Sequence, residues 1–107
     1  MKTAYTKDEI LEKCRREAED YSKVMVVDPI RFRVTDASEP ELPGRTCYSA
    51  FKRGGRCEDC TSMRALFSHG KAAKTEVVGG KIFLVESRYI TVDGKDQVLE
   101  TIDDITE

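Results

Sequence analysis

The fold is decided by residues 73–105, which read AKTEVVGGKIFLVESRYITVDGKDQVLETIDDI. They contain three stretches rich in β-branched and aromatic residues, at 73–78, 81–90 and 97–105. The first two are separated by Gly79-Gly80, and Asp93-Gly94 marks a turn before the third. Such two-residue turns join antiparallel strands, because their positive φ angles match the twist of the flanking strands. We therefore predict a three-stranded antiparallel meander.

A helix is predicted at the N-terminus. Thr6 and Glu9 have the spacing of a capping box, in which each side chain accepts a hydrogen bond from a free backbone N–H group. Apolar residues then recur at three- and four-residue steps, at Ile10, Leu11, Cys14, Ala18 and Tyr21. This pattern predicts an amphipathic helix at 7–23. The predicted organisation is an N-terminal helix at 1–23 and a main domain at 24–107.

Between the helix and the meander, the pattern is shorter and more irregular. Two short strands are predicted at 24–27 and 31–35, joined by a turn at Asp28-Pro29. Pro40 and Pro43 exclude a long helix from the next segment. Short helices are then predicted at 46–52 and 58–68.

Composition excludes several classes of protein. The 107 residues carry a net charge of −2 and are 39% apolar and 36% charged, as expected of one globular domain. No apolar run is long enough to span a membrane, and no basic patch indicates nucleic-acid binding. The charged N-terminus has no hydrophobic signal core. We therefore predict a cytoplasmic protein.

Three of the four cysteines form a cluster. Cys47, Cys57 and Cys60 have the spacing C-x9-C-x2-C, with Gly54-Gly55 between the first and the last two. A Cys-x-x-Cys pair lets two thiolates converge on one metal ion or one disulfide, and a flexible arm brings in a third sulfur. In a reducing compartment this favours zinc or iron. A redox-active disulfide and buried structural thiols are the alternatives.

A tetrahedral metal site needs a fourth ligand, and the sequence offers two candidates. Cys14 lies on the apolar stripe of the helix, where it ligates a metal only if the helix folds back; otherwise it is a core residue or an inter-subunit disulfide. His69, the single histidine, follows the helix predicted at 58–68, which would have to unwind. One histidine and scattered acids leave little for hydrolysis, so we predict no catalytic residues and no enzyme.

The sequence resembles the PAS domain family over roughly residues 21–107. Four motifs carry the resemblance: VMVVD at 24–28, GRTCY at 44–48, VDGK at 92–95 and the DIT-E ending within DDITE at 103–107. A subset found in bacterial signalling proteins has Cys-Tyr followed by Cys-x-x-Cys about ten residues later. Cys47, Cys57 and Cys60 are similar to that subset, although Arg56 and Thr61 replace its usual prolines.

The resemblance implies an α+β fold: a five-stranded antiparallel sheet, short helices on one face, and an N-terminal amphipathic helix through which two copies form a homodimer. It implies a sensory or regulatory module acting on an output kinase, cyclase or transcriptional domain, with Asp103, Asp104 and Thr106 transmitting the signal. Only 36–43 separate the second strand from Gly44, so haem and flavin are not expected.

Two other functions remain open at this point. A thiol–disulfide oxidoreductase would use Cys57 and Cys60, although the pair follows no strand of a βαβ unit. A small zinc-stapled interaction module would use the same cysteines without sensing anything. In the regulatory interpretation, the cysteine cluster is either the sensor element or a structural staple.

Overall fold

The structure is a computed structural model that describes residues 3–21, 23–31, 33–39, 41–45 and 60–106. In chain order its elements are β1 (Ala4–Tyr5), α1 (Lys7–Glu17), β2 (Lys23–Asp28), β3 (Arg33–Ala37), α2 (Thr61–Ser68), β4 (Lys71–Val78), β5 (Lys81–Val92) and β6 (Lys95–Asp104). The helix predicted at 46–52 lies outside the described residues. Neither α1 nor α2 has the length and apolar content that crossing a membrane requires.

All the strands of the described chain belong to one mixed sheet. Five lie in the order β4-β5-β6-β2-β3 with antiparallel neighbours, and β1 runs parallel to β5. The prediction of an α+β fold with a purely antiparallel, five-stranded sheet was therefore wrong, because the described chain is mostly β, with six strands in a mixed sheet and two short helices.

The length of β5 explains the additional strand. β4 accompanies β5 only as far as Arg88, so the edge of β5 beyond it needs another partner. The N–H groups of Thr91 and Asp93 donate to the carbonyls of Thr3 and Tyr5 at 2.8 and 2.9 Å. Because unpaired backbone groups in a sheet are unfavourable, the N-terminal residues are held there as β1.

Both predicted turns of the meander are confirmed. Gly79 and Gly80 have φ angles of 58° and 80°, and Asp93 and Gly94 have φ angles of 50° and 81°. Both central residues of each turn are thus left-handed, as in a type I′ hairpin turn. Glycine adopts this conformation without strain, and aspartate adopts it more readily than most residues.

The sheet carries an apolar layer on each of its faces. The outer face, defined as the one that α1 covers, contains the cluster Ile10, Cys14, Val24, Val26, Ile90, Val92 and Leu99. The inner face, which α2 covers, contains Met25, Val27, Val34, Leu42, Val85 and Ile102, with Ala65, Leu66 and Val98 beside them. β2 and β6 supply both layers, because successive side chains of a strand alternate between faces. Of the short helices predicted on one face, α2 is described and covers the inner face, whereas the N-terminal helix α1 covers the opposite face.

The N-terminal helix begins as predicted but ends early. The capping box is confirmed: the N–H of Glu9 donates to Thr6 Oγ1 at 3.2 Å, and the N–H of Thr6 donates to Glu9 Oε1 at 2.9 Å. The predicted extent of 7–23 was wrong, because α1 has 11 residues and ends at Glu17.

The packing of the residues predicted as the apolar stripe of the helix explains why α1 ends early. Its buried residues, Ile10 and Cys14, contact the sheet of the same chain. Tyr21, which the helical pattern included, packs against that cluster from the segment between α1 and β2. The chain therefore has to leave the helix before Tyr21 in order to enter β2 at Lys23.

Candidate functional site

One of the three clustered cysteines lies in the described chain. Cys60 is the N-cap residue of α2, is half-buried and is not in a disulfide, whereas Cys47 and Cys57 lie outside the described residues. Its backbone is extended, with φ −83° and ψ 107°, and its carbonyl accepts the first helical hydrogen bond from the N–H of Arg64 at 3.1 Å. The helix predicted at 58–68 is α2, which begins at Thr61.

Directly after Cys60, two buried hydroxyl groups meet the sheet. Thr61 Oγ1 lies 2.8 Å from Ser87 Oγ on β5, and Ser62 Oγ lies 3.5 Å from the same atom. All three side chains are buried. Buried hydroxyls need hydrogen-bond partners, so this contact fixes the start of α2 against the inner face.

A carboxyl group completes the polar cluster. Glu100 on β6 is the cross-strand partner of Ser87, and the hydroxyls of Ser87 and Ser62 hydrogen-bond to its side chain. Burial raises the pKa of Glu100 to about 7, although the positive charge of Lys74 and these two hydroxyls favour the ionised form. We call Thr61, Ser62, Ser87 and Glu100 the polar cluster. It can hold or release a proton near neutral pH.

None of the sequence patterns predicted the polar cluster. Ser87 and Glu100 occupy positions that strand alternation directs to the inner face, between Val85 and Tyr89 and between Val98 and Ile102. A polar residue at a position where strand alternation predicts an apolar one could have indicated these two residues. Its partners on α2 could not be found in that way, because their contact joins residues 26 positions apart.

β6 leads from Glu100 to the predicted signal-transmission residues. Asp104 Oδ1 accepts a hydrogen bond from the N–H of Thr106 at 3.0 Å, and the N–H of Ile82 donates to Thr106 Oγ1 at 2.8 Å. The N–H of Ile105 also donates to the carbonyl of Ile82, at 2.9 Å. We call this arrangement the C-terminal clip, because it fastens the end of the chain to the start of β5.

The two acids of this segment have different surroundings. The hydrogen bonds from Thr106 hold the pKa of Asp104 below its ordinary value. Asp103 alternates to the outer face and pairs with Leu84 of β5 in the backbone register, so its side chain takes no part in the clip.

The candidate fourth ligands lie away from Cys60. Cys14 is buried between α1 and the outer face, so the sheet separates it from Cys60. Burial, reinforced by the negative charge of Asp36, raises the pKa of its thiol to about 11. His69 is the left-handed C-cap of α2, at the other end of the helix, where its ring stacks on Tyr89 at a centroid distance of 4.3 Å.

Within the described ranges, no group of three or more histidine, cysteine, aspartate or glutamate side chains is arranged to hold a metal ion. These ranges contain only Cys14 and Cys60 of the four cysteines. A thiolate site built on Cys47, Cys57 and Cys60 therefore stays a prediction from the sequence.

A comparison with protein-family models finds no match for this chain, and comparisons with curated proteins and with solved structures find none either.

Proposed function

We propose that this chain is a cytoplasmic, PAS-type sensory or regulatory domain of a signal-transduction protein, in which Cys47, Cys57 and Cys60 form a redox or metal-binding element. One observation carries the proposal: the residue at the N-cap position of α2 is a cysteine, and the next two residues belong to the polar cluster. A change in the state of the Cys60 sulfur would therefore act on the polar cluster.

We propose that the signal is transmitted from Cys60 in three steps, the first of which is its effect on the polar cluster. The second step passes along the sheet. Ser87 contacts α2 on one side and Glu100 on the other, and Glu100 lies on the strand that ends in the C-terminal clip. A shift of α2 would change the hydrogen bonds to Glu100. The protonation state of Glu100 and the position of β6 would change with them. Such a two-state element, rather than proximity alone, is what allows one site to influence another.

The third step takes place at the C-terminal clip. Thr106 and Asp104 hold the C-terminal segment on Ile82 through exposed hydrogen bonds, which are individually weak. A small displacement of β6 is therefore sufficient to loosen the clip. The kinase, cyclase or transcriptional output that would read this change remains part of the proposal.

The first test concerns the chemistry of the sulfur atoms. Protein purified under reducing conditions is analysed for zinc and iron, and its thiols are counted before and after hydrogen peroxide. If the element is redox-active, two thiols form one disulfide, and their two electrons and two protons reduce the peroxide to two molecules of water. A tightly held ion per chain supports the metal form, and a chain with neither property would contradict the proposal.

The second test concerns transmission. Hydrogen exchange at the Ile82 and Thr106 amides is measured before and after oxidation or metal removal, whichever state the first test establishes. We expect the exchange rates to change in the native chain, and the change to be lost in Ser87→Ala. Ser68→Ala, which removes an exposed hydroxyl from the far end of α2, should respond like the native chain. An unchanged clip in the native chain, or an intact response in Ser87→Ala, would refute the route.

A further inference from the structure

One edge of the sheet is open in the part of the chain that the structure describes. β4 pairs with β5 on one side, and no described strand pairs with its other side. The carbonyl of Gly70 accepts a hydrogen bond from the N–H of Tyr89, so the backbone groups of the even-numbered residues 70–78 point to β5. Those of the odd-numbered residues 71–77 point outward.

A side-chain contact supports this assignment independently. Arg64 Nη2 donates to the carbonyl of Ala73 at 3.1 Å, on the side away from β5. The backbone N–H and C=O groups of Thr75 and Val77 point outward as well, because these residues follow Ala73 at steps of two. An edge that presents alternating N–H and C=O groups is a template for pairing with another strand.

The sequence of β4 is complementary to itself. Within β4, Lys74 Nζ lies 2.7 Å from Glu76 Oε1, so the two side chains already form an ion pair. When Ala73-Lys74-Thr75-Glu76-Val77 is laid antiparallel to a second copy about Thr75, this ion pair lies opposite that of the second copy with each Lys74 facing a Glu76, and each Ala73 faces a Val77. No like charges are directly opposite, and opposite charges across a strand pair are favourable. Thr75 would face itself as a hydrogen-bonded pair, which its outward N–H and C=O groups allow.

We propose that the open edge of β4 pairs with β4 of a second copy of this chain, antiparallel and with the two-fold axis at Thr75. The sheets of the two copies would become continuous through this contact. The interface is isologous, so each copy uses its β4 edge once and the pairing closes as a dimer. It is distinct from the helix-mediated homodimer predicted from the sequence, and it does not depend on the proposed sensing function.

The exposed apolar residues near this edge fit the same arrangement. Val77 is 70% exposed and is paired with Ile82, which is 41% exposed; Ile105, 42% exposed, is joined to Ile82 by a backbone hydrogen bond. Pairing would place Ala73 of the second copy beside Val77, which reduces the exposure of this apolar stripe. The Ala73 carbonyl would exchange the Arg64 guanidinium for the N–H of Val77 of the second copy.

Sedimentation equilibrium of the native chain at high micromolar concentration is the first measurement, with Thr75→Pro and Thr75→Val as the variants. Proline removes only an outward N–H group, so the hydrogen bonds between β4 and β5 are retained. The pair at Thr75 contains two intermolecular bonds, so we expect Thr75→Pro to weaken association about tenfold or more. Thr75→Val keeps the N–H group and should associate like the native chain.

A cross-linking measurement keeps the proposal testable if Thr75→Pro does not fold. In Thr75→Cys the two new cysteines would face each other at a Cα separation of about 5.5 Å, which a disulfide spans. We expect its covalent dimer on a non-reducing gel to form at least about tenfold faster than that of the native chain or of Lys95→Cys, whose cysteine lies at the exposed start of β6. A monomeric native chain, a Thr75→Pro chain that associates like Thr75→Val, or equal cross-linking at the two positions would overturn the proposal.

Discussion

At the scale of single residues, Glu100 is the group whose chemistry the fold changes most usefully. Burial against the inner face raises its pKa to about 7 from an ordinary value of 4.5. In the unfolded chain, the carboxyl ionises near its ordinary value. Between these two pKa values the folded state binds a proton that the unfolded state has lost, so this group lowers stability progressively as the pH rises from about 4.5 to about 7.

The variant Glu100→Gln tests this effect, because the amide stays neutral and still accepts hydrogen bonds from Ser62 and Ser87. We expect the variant and the native chain to have similar free energies of unfolding below pH 4.5. The variant should become more stable by up to about 3 kcal/mol above pH 7, since one pKa unit corresponds to about 1.4 kcal/mol. Urea unfolding across this pH range measures the difference.

Glu86→Gln is the matched control. Glu86 lies on β5, one residue before Ser87, and its side chain is exposed. Its variant should show the pH dependence of the native chain. A difference in free energy of unfolding between Glu100→Gln and the native chain that is the same at all pH values would show that the raised pKa of Glu100 is not its cause.

At the scale of elements, the ends of β5 are held by segments from opposite ends of the chain. Its start is held by Ile105 and Thr106, and its end is held by Thr3 and Tyr5 of the β1 segment. At the end of β5, Tyr5 also packs against the apolar cluster of the outer face, whereas the attachment at the start of β5 uses a few exposed hydrogen bonds. Regions of this kind open locally at much lower free energy than the sheet core.

The variant Thr106→Val tests the C-terminal clip at this scale. Valine keeps the shape of threonine but can neither accept the hydrogen bond from the N–H of Ile82 nor make the longer one, of 3.4 Å, that the Thr106 hydroxyl donates to the Ile82 carbonyl. Losing one such bond corresponds to about 1 kcal/mol, so we expect the Ile82 amide to exchange about fivefold faster. Hydrogen exchange followed by NMR measures it.

The Thr91 amide is the internal control for this experiment. It donates to the carbonyl of Thr3 at the other end of β5, so its exchange rate should not change. Equal acceleration at Ile82 and Thr91 would mean that the variant lowers global stability instead of opening the clip.

At the scale of the whole molecule, the two faces share their strands. β2 and β6 contribute alternate side chains to the cluster under α1 and to the clusters under α2. Loss of packing on either face therefore weakens the same central strands. The segment before residue 24, predicted from the sequence as a separate N-terminal helix, shares its core with the sheet.

The variant Ile10→Ala tests this shared core. Ile10 is fully buried, so we expect its truncation to lower the free energy of unfolding by about 2–5 kcal/mol in a single transition with an unchanged m-value. Leu11→Ala, on the same helix but 37% exposed, should lower it by at most half as much. A separate early loss of helical circular dichroism, with the main transition unmoved, would show that α1 is an independent unit.

The amino-acid sequence by itself determined the features that depend on neighbours a few residues apart. The capping box of Thr6 and Glu9 and the turns at Gly79-Gly80 and Asp93-Gly94 were predictable, because each is specified by the conformational preferences of adjacent residues. The approximate positions of β2 to β6 followed from the alternation of apolar residues.

Only the tertiary structure decided how these pieces meet. The parallel pairing of β1, the placement of the two helices on opposite faces, and the contacts of Thr61 with Ser87 and of Ser62 with Glu100 join residues far apart in the chain. Their energies come from burial and from satisfying buried polar groups, which no local pattern records. For the same reason the sequence marked Cys60 by its spacing, whereas only the fold put it at the cap of a helix whose first residues touch a carboxyl group with a pKa near 7.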